Sequence, residues 1–205
     1  MSSLFEVLAR QLGGDAAETI SQQLGADQQQ TKTAIAAAIP SLVEALSRQA
    51  AQPGGADSLH NAIQRDHDGS LLDQLSSYIG AAPQSRAPSK ATAGGQILDH
   101  VLGAKRTRVE SGISQMSGLD ASSVSRLMAM LAPLVMGALG KNQRSQQLNP
   151  AQLNDYLQQQ RRTFQEGNPA QAGILGKMLD QDGDGDFDAS DMMRLGSSFI
   201  SRMFK

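Results

Sequence analysis

The residues best suited to chemistry are the aspartates of the segment DQDGDGDFDASD, residues 180–191. Six carboxylates in twelve positions repel one another unless a cation neutralises them. A calcium ion requires oxygen ligands at alternate positions of a tight loop, a glycine at the sharp turn and a carboxylate from the following helix. The segment has this pattern and predicts a metal site formed by Asp180, Asp182, Asp184, Asp186, Asp188 and Asp191.

Each position of this acidic loop has an expected role. The first three aspartates are expected to bind the ion through their side chains, and Asp186 through its backbone carbonyl. We expect Asp188 to act through a water molecule and Asp191 to complete the coordination shell. Gly185 stands at the sixth position, where the chain must turn sharply.

Apolar residues flank the loop on both sides, including Leu175 and Met178 before it and Met192 and Phe199 after it. This helix-loop-helix pattern resembles the EF-hand calcium site. The twelfth position carries Asp191 where an EF-hand usually has glutamate, which makes the loop similar to those of dockerin modules. The shorter side chain is less suited to bidentate closure, which is expected either to weaken calcium binding or to improve the binding of magnesium relative to calcium.

The loop allows three interpretations. EF-hand sensors usually carry paired sites, whereas this sequence has one complete loop, so a static ion that stabilises the C-terminal hairpin is favoured. The alternative is a calcium-regulated module that exposes an apolar, Met-rich surface to a protein partner. In the third interpretation Asp188 or Ser190 caps the last helix and no ion binds.

The rest of the chain contains an internal repeat. Residues 20–46 align with residues 113–139 at a constant offset of 93, with nine of 27 positions identical. The shared Gly25 and Gly118 can close a helix in the left-handed conformation, and Asp27 or Asp120 can cap the next helix. The pattern predicts an all-α, multihelical fold with internal duplication, in which each repeat is a helix, a tight turn and a second helix.

Prolines interrupt the second helix of each predicted repeat. Pro40 and Pro133 each remove a backbone hydrogen bond, so each is expected to kink its helix or to break it in two. The apolar segment 127–139 needs covering on most sides, and residues 34–46 are its expected partner.

The predicted layout has four parts. Residues 1–80 form the first helical repeat, 81–95 a flexible linker with two prolines, 96–166 the second repeat and 167–205 the EF-hand-like helix-loop-helix. Helix starts are marked by Ser70 with Asp73, and by NPAQ at 149–152 and 168–171, where Asn caps and Gln reaches back.

Composition excludes several classes of protein. Hydrophobic residues make up 40% of the chain, charged residues 19%, and the net charge is −2, as in a folded protein without a nucleic-acid footprint. There is no cysteine, which excludes disulfides and thiolate sites. The longest apolar run, 127–139, is shorter than a membrane span, and the N-terminus lacks the pattern of a secretory signal, so we expect a cytoplasmic protein.

Other candidate sites have simpler explanations. RDHDGS at 65–70 is better explained by a turn and helix cap than by a second metal site, and His60 and His100 have no second histidine at ligand spacing. No catalytic motif is present, so we expect a non-enzymatic protein. The basic cluster KRTR at 105–108 and the pair Arg161 and Arg162 are expected to be solvated, which makes nucleic acid an improbable partner.

Three segments resemble one family. ILDHVLG at 97–103, SGLDASSVSRLMAMLAPLVMGALGK at 117–141 and LGKMLDQDGDGDFDASDMMRLG at 175–196 are similar to the bacterial YidB-like family. The resemblance implies a multihelical, internally duplicated fold. It implies no activity, and a protein partner or self-association remains open.

Overall fold

The computed structural model describes residues 4–80 and 94–168. Within these ranges the chain is helical and has no strand, which confirms the predicted all-α class. The helices in chain order are α1 (Leu4–Leu12), α2 (Asp15–Leu24), α3 (Gln28–Ala51), α4 (Gly55–Asp66), α5 (Ser70–Asp73), α6 (Leu75–Gly80), α7 (Gly94–Leu102), α8 (Arg106–Ser117), α9 (Ala121–Gln146) and α10 (Pro150–Gly167), with a 3₁₀ turn at Gly103–Lys105.

The two predicted tight turns form as the sequence indicates. Gly25 ends α2 at φ 64° and Gly118 ends α8 at φ 76°, both in the left-handed region. The carboxylate of Asp27 accepts hydrogen bonds from the backbone N–H groups of Gln29 and Gln30 at the start of α3. Asp120 caps α9 in the same way, and hydrogen bonds led by that from Ser122 lower its pKa.

Neither proline breaks its helix, so of the two expected outcomes, a kink or a break, the break into two shorter helices does not occur. α3 continues through Pro40 and α9 through Pro133. Each proline still leaves the carbonyl four residues earlier without its donor, and in α9 this is Ala129. The first turn of α7 lies against that carbonyl, because a Cβ added to Gly94 would be 2.0 Å from the Ala129 oxygen. Tertiary packing therefore covers the site that the proline leaves open.

The helices α3 and α9 form the centre of the fold and contact each other, as the apolar patterns predicted. α3 also contacts α7 and α8 from the second half of the sequence, and α9 contacts α1, α2 and α4 from the first half. Leu42 and Leu46 on α3 and Leu127 and Leu131 on α9 are among the buried core residues. The two halves thus share one core inside a compact unit, Met1–Arg162, while Thr163–Lys205 forms another.

Helix α9 is the one helix in the described parts of the chain that is long and apolar enough to cross a membrane. Of its most apolar stretch, 78% is buried inside the protein, as in the core helix of a globular domain. Its methionines Met128 and Met136 are 0% and 4% exposed, so these two fill the core.

Candidate functional site

The predicted metal ligands Asp180, Asp182, Asp184, Asp186, Asp188 and Asp191 lie outside the described residues, as does the second NPAQ motif from Pro169 onward. The same holds for the predicted linker as far as residue 93, and α7 begins at Gly94. Within the two described ranges, no group of three or more His, Asp or Glu side chains is placed to hold a metal ion.

Residues 67–69 of the segment RDHDGS connect α4 to α5, in agreement with the predicted turn. Asp68 Oδ1 accepts hydrogen bonds from the backbone N of Ser70 at 3.1 Å and from its Oγ at 2.5 Å. The predicted cap by Ser70 is wrong, because Gly69 precedes α5 and Ser70 is already helical. Asp68, two residues upstream, instead accepts the hydrogen bond from the Ser70 N–H at the first position of α5.

Close backbone packing holds this turn on α9. A Cβ added to Gly140 would lie 1.9 Å from the carbonyl oxygen of His67, so the approach requires glycine. Arg144 donates a hydrogen bond to the Asp68 carbonyl at 3.2 Å, and Lys141 pairs with Asp73 at 3.1 Å. The turn therefore connects α4 and α5 to the last third of α9 and fixes one end of α4.

A groove lies between α4 and α7, above α3 and α9, and has a volume of about 470 Å³. Its apolar lining comes from Leu46, Leu59, Ile97, Val101 and Met136. Polar side chains border it on several sides: Gln49, Ser58, Asp66, His67, Gln96 and His100. Ligand pockets commonly combine an apolar lining with a few polar groups in this size range.

The best-defined polar pair in the groove is Gln49 and His100. Gln49 Nε2 lies 3.2 Å from His100 Nε2, so the amide and the imidazole meet where α3 faces α7. Sequence reasoning dismissed His100 because it lacked a second histidine at ligand spacing. The feature that marks His100 is its contact with Gln49 on a distant helix, and a search for metal-ligand spacing within one segment does not detect such a contact.

Polar side chains join α10 to α1 and to α9. Tyr156 of α10 is half-buried, and its hydroxyl accepts a hydrogen bond from Asn142 Nδ2 at 2.5 Å. Beside it, Gln160 Oε1 accepts a hydrogen bond from the Leu4 backbone N at 2.9 Å. Burial raises the pKa of Tyr156 to about 12, against the lowering effect of hydrogen bonds with the Leu4 backbone and Asn142.

Two residues of the predicted solvated basic clusters have structural roles instead. The Arg106 guanidinium pairs with Asp99 at 2.7 Å and with Glu110 at 2.8 Å, and hydrogen bonds first to Glu110 and then to Asp99 raise its pKa. Arg161 lies 3.4 Å from Glu44 of α3. These arginines connect helices of the fold, so neither presents a free charge to a phosphate backbone.

His60 also joins helices. Its Nε2 lies 3.1 Å from the Leu148 carbonyl oxygen and 3.1 Å from Gln143 Nε2, and Gln143 Nε2 itself donates to Leu148 O at 3.2 Å. The contact holds α4 against the end of α9.

These features define, over the residues that the structure describes, an all-α protein in which helices from both halves of the sequence share one core and α4 and α7 border a groove. The chain belongs to a bacterial family of proteins of unknown function, DUF937, whose family model matches residues 6–142. No curated protein and no solved structure gives a significant match. The acidic segment at 180–191 lies beyond the residues that the family model matches.

Proposed function

We propose that this protein is a non-enzymatic, YidB-like helical scaffold that binds one divalent cation, calcium in preference to magnesium, through residues 180–191. The observation that carries the proposal is the alternation of carboxylates along the loop, with Gly185 at the turn. Capping a helix requires one acidic residue, whereas five carboxylates at ligand spacing serve to surround a cation.

The ion acts as a structural element of the C-terminal segment and not as a switch. Without a cation, the repulsion among the carboxylates opposes loop closure. A cation that binds the folded form alone stabilises it by about 2.7 kcal/mol when its free concentration is one hundred times Kd. We place the protein in the cytoplasm, where it acts through protein contacts.

Isothermal titration of the chelator-treated full chain with calcium, and then with magnesium, tests the proposal. We expect one calcium site that is lost in the double variant Asp180→Ala with Asp184→Ala. The matched control is Asp57→Ala with Asp155→Ala, which removes two exposed carboxylates from α4 and α10 and leaves the loop intact. Equal calcium binding by all three proteins, or none by the wild type, contradicts the proposal.

Binding of a hydrophobic dye separates the structural role from regulation. In the structural role, calcium raises the melting temperature and leaves dye binding unchanged, because no apolar surface opens. The calcium-regulated binding module is the competing function, and it requires calcium to increase dye binding in the wild type but not in the double variant.

A further inference from the structure

The two ends of the fold differ in how their helix pairs close. At one end, α10 meets α1 through Tyr156 and Gln160, and the side-chain oxygen of Gln160 accepts a hydrogen bond from the Leu4 backbone N. At the other end, α4 and α7 border a groove of about 470 Å³. The difference in side chains between α4 and α10 explains why one corner is filled and the other is open.

The internal repeat gives the correspondence. The offset of 93 that aligns residues 20–46 with 113–139 continues within the same helices to Gln49 of α3 and Asn142 of α9. After these helices, Leu59 and Ile63 of α4 align with Leu153 and Leu157 of α10 at an offset of 94, and all four leucine and isoleucine side chains are buried.

At this second offset, Ala62 corresponds to Tyr156 and Asp66 to Gln160. Both Ala62 and Asp66 line the groove. The first half therefore has a methyl group where the second half has a phenol, and an exposed carboxylate where the second half has the amide that contacts α1.

Each of the two corners has a side-chain amide at the position that corresponds to the partner of the phenol. Asn142 donates its side-chain amide to the Tyr156 hydroxyl, and Gln49 brings an amide to the rim of the groove, next to the His100 ring. An apolar lining with an amide and an imidazole at one side suits a compact aromatic body that carries one hydroxyl. Asp66 on the lining disfavours an anionic ligand, which would meet a like charge.

We propose that the groove between α4 and α7 binds a small neutral phenol, whose ring takes the place of the missing tyrosine side chain and whose hydroxyl bonds to Gln49 and His100. The site goes beyond the cation scaffold proposed above. All of its lining residues fall between Leu46 and Met136, so a failed calcium titration does not affect it.

Titration of the full chain with 4-methylphenol, the side-chain analogue of tyrosine, tests this site. Met136 is one of the residues that line the groove, so the methyl signal of labelled methionine at this position can report occupancy in a ¹H–¹³C spectrum, while the fully buried Met128 is not among the lining residues. We expect a saturable shift of the Met136 signal and little change at Met128. No saturable shift at Met136 overturns the proposal.

Toluene tests the role of the hydroxyl. One neutral hydrogen bond corresponds to roughly a tenfold change in affinity, so toluene is expected to bind about ten times more weakly than 4-methylphenol. Equal affinity for the two compounds would mean that the groove is an apolar cavity without phenol recognition. Gln49→Leu is expected to remove the preference for 4-methylphenol while toluene still binds.

A side chain of the protein itself can fill the groove and so compete with the ligand. Ala62→Tyr places the phenol of the second half into the first, and we expect it to abolish the 4-methylphenol shift and to raise the melting temperature. Asn61→Tyr, on the exposed face of the same helix, is the matched control and is expected to bind 4-methylphenol like the wild type. Unchanged binding of 4-methylphenol by Ala62→Tyr refutes the site. If this variant does not fold, the affinities of the wild type and of Gln49→Leu for 4-methylphenol and toluene decide the question.

Discussion

The adjacent residues Gly94 and Gly95 at the start of α7 allow a matched test of how α7 packs on α9. A Cβ at Gly94 would lie 2.0 Å from the Ala129 carbonyl oxygen and 2.8 Å from its carbon. A Cβ at Gly95 would have no atom within 4 Å. The same substitution to alanine therefore meets opposite environments at neighbouring positions of one helix turn.

The size of the effect follows from these distances. To restore ordinary van der Waals contact, α7 must move away from α9 by about 1.4 Å, and gaps of 0.5–1 Å already forfeit a quarter to a half of each contact's dispersion energy. Overpacking of this kind costs about 3 kcal/mol, which the better helix propensity of alanine offsets by less than about 1 kcal/mol. We expect Gly94→Ala to lower the free energy of unfolding by about 2 kcal/mol and Gly95→Ala to raise it by about 0.5 kcal/mol.

Urea unfolding followed by circular dichroism measures both variants against the wild type. The slope with denaturant should stay constant, so that a change in midpoint reports stability. If Gly94→Ala is as stable as Gly95→Ala, the close contact between α7 and the Ala129 carbonyl does not exist as described, and the explanation for how Pro133 is accommodated fails with it.

Two further predictions concern side chains. Burial raises the pKa of Tyr78 to about 12, and Tyr156 shifts equally, so the ultraviolet titration of this tryptophan-free protein should show no tyrosinate formation around pH 10 in the folded state. Because the pKa values in the folded protein exceed the unfolded value of 10.0, the two tyrosines contribute fully to stability below pH 10, and this contribution is lost as the pH rises towards 12. A titration midpoint near pH 10 for both tyrosines in the folded protein would contradict this prediction. Asn149→Ala removes the acceptor for Gln152 N at 2.9 Å and should lower the free energy of unfolding by about 1 kcal/mol. Gln159→Ala at an exposed position of the same helix serves as the comparison, and equal losses would argue against the cap.

Local features of this fold were predictable from the sequence. The left-handed glycines at 25 and 118, the caps by Asp27 and Asp120, and the reciprocal bonds of Asn149 and Gln152 all formed as expected. Each of these joins residues within five positions of one another, so the backbone geometry of a single turn decides them. The cap at Ser70 was wrong by one position of the same turn, because Gly69 precedes α5 and Ser70 is already helical.

The tertiary structure alone decided which corner of the fold stays open. The hydrogen bond from Leu4 to Gln160 joins residues 156 positions apart, and Gln49 meets His100 across 51 positions. Arg106 looked like part of a solvated basic cluster until packing placed Asp99 and Glu110 around it. Apolar periodicity determines that a helix has a buried face, but the neighbour that covers it depends on how all the helices pack together, and so the sequence determined the helices while the packing determined the groove.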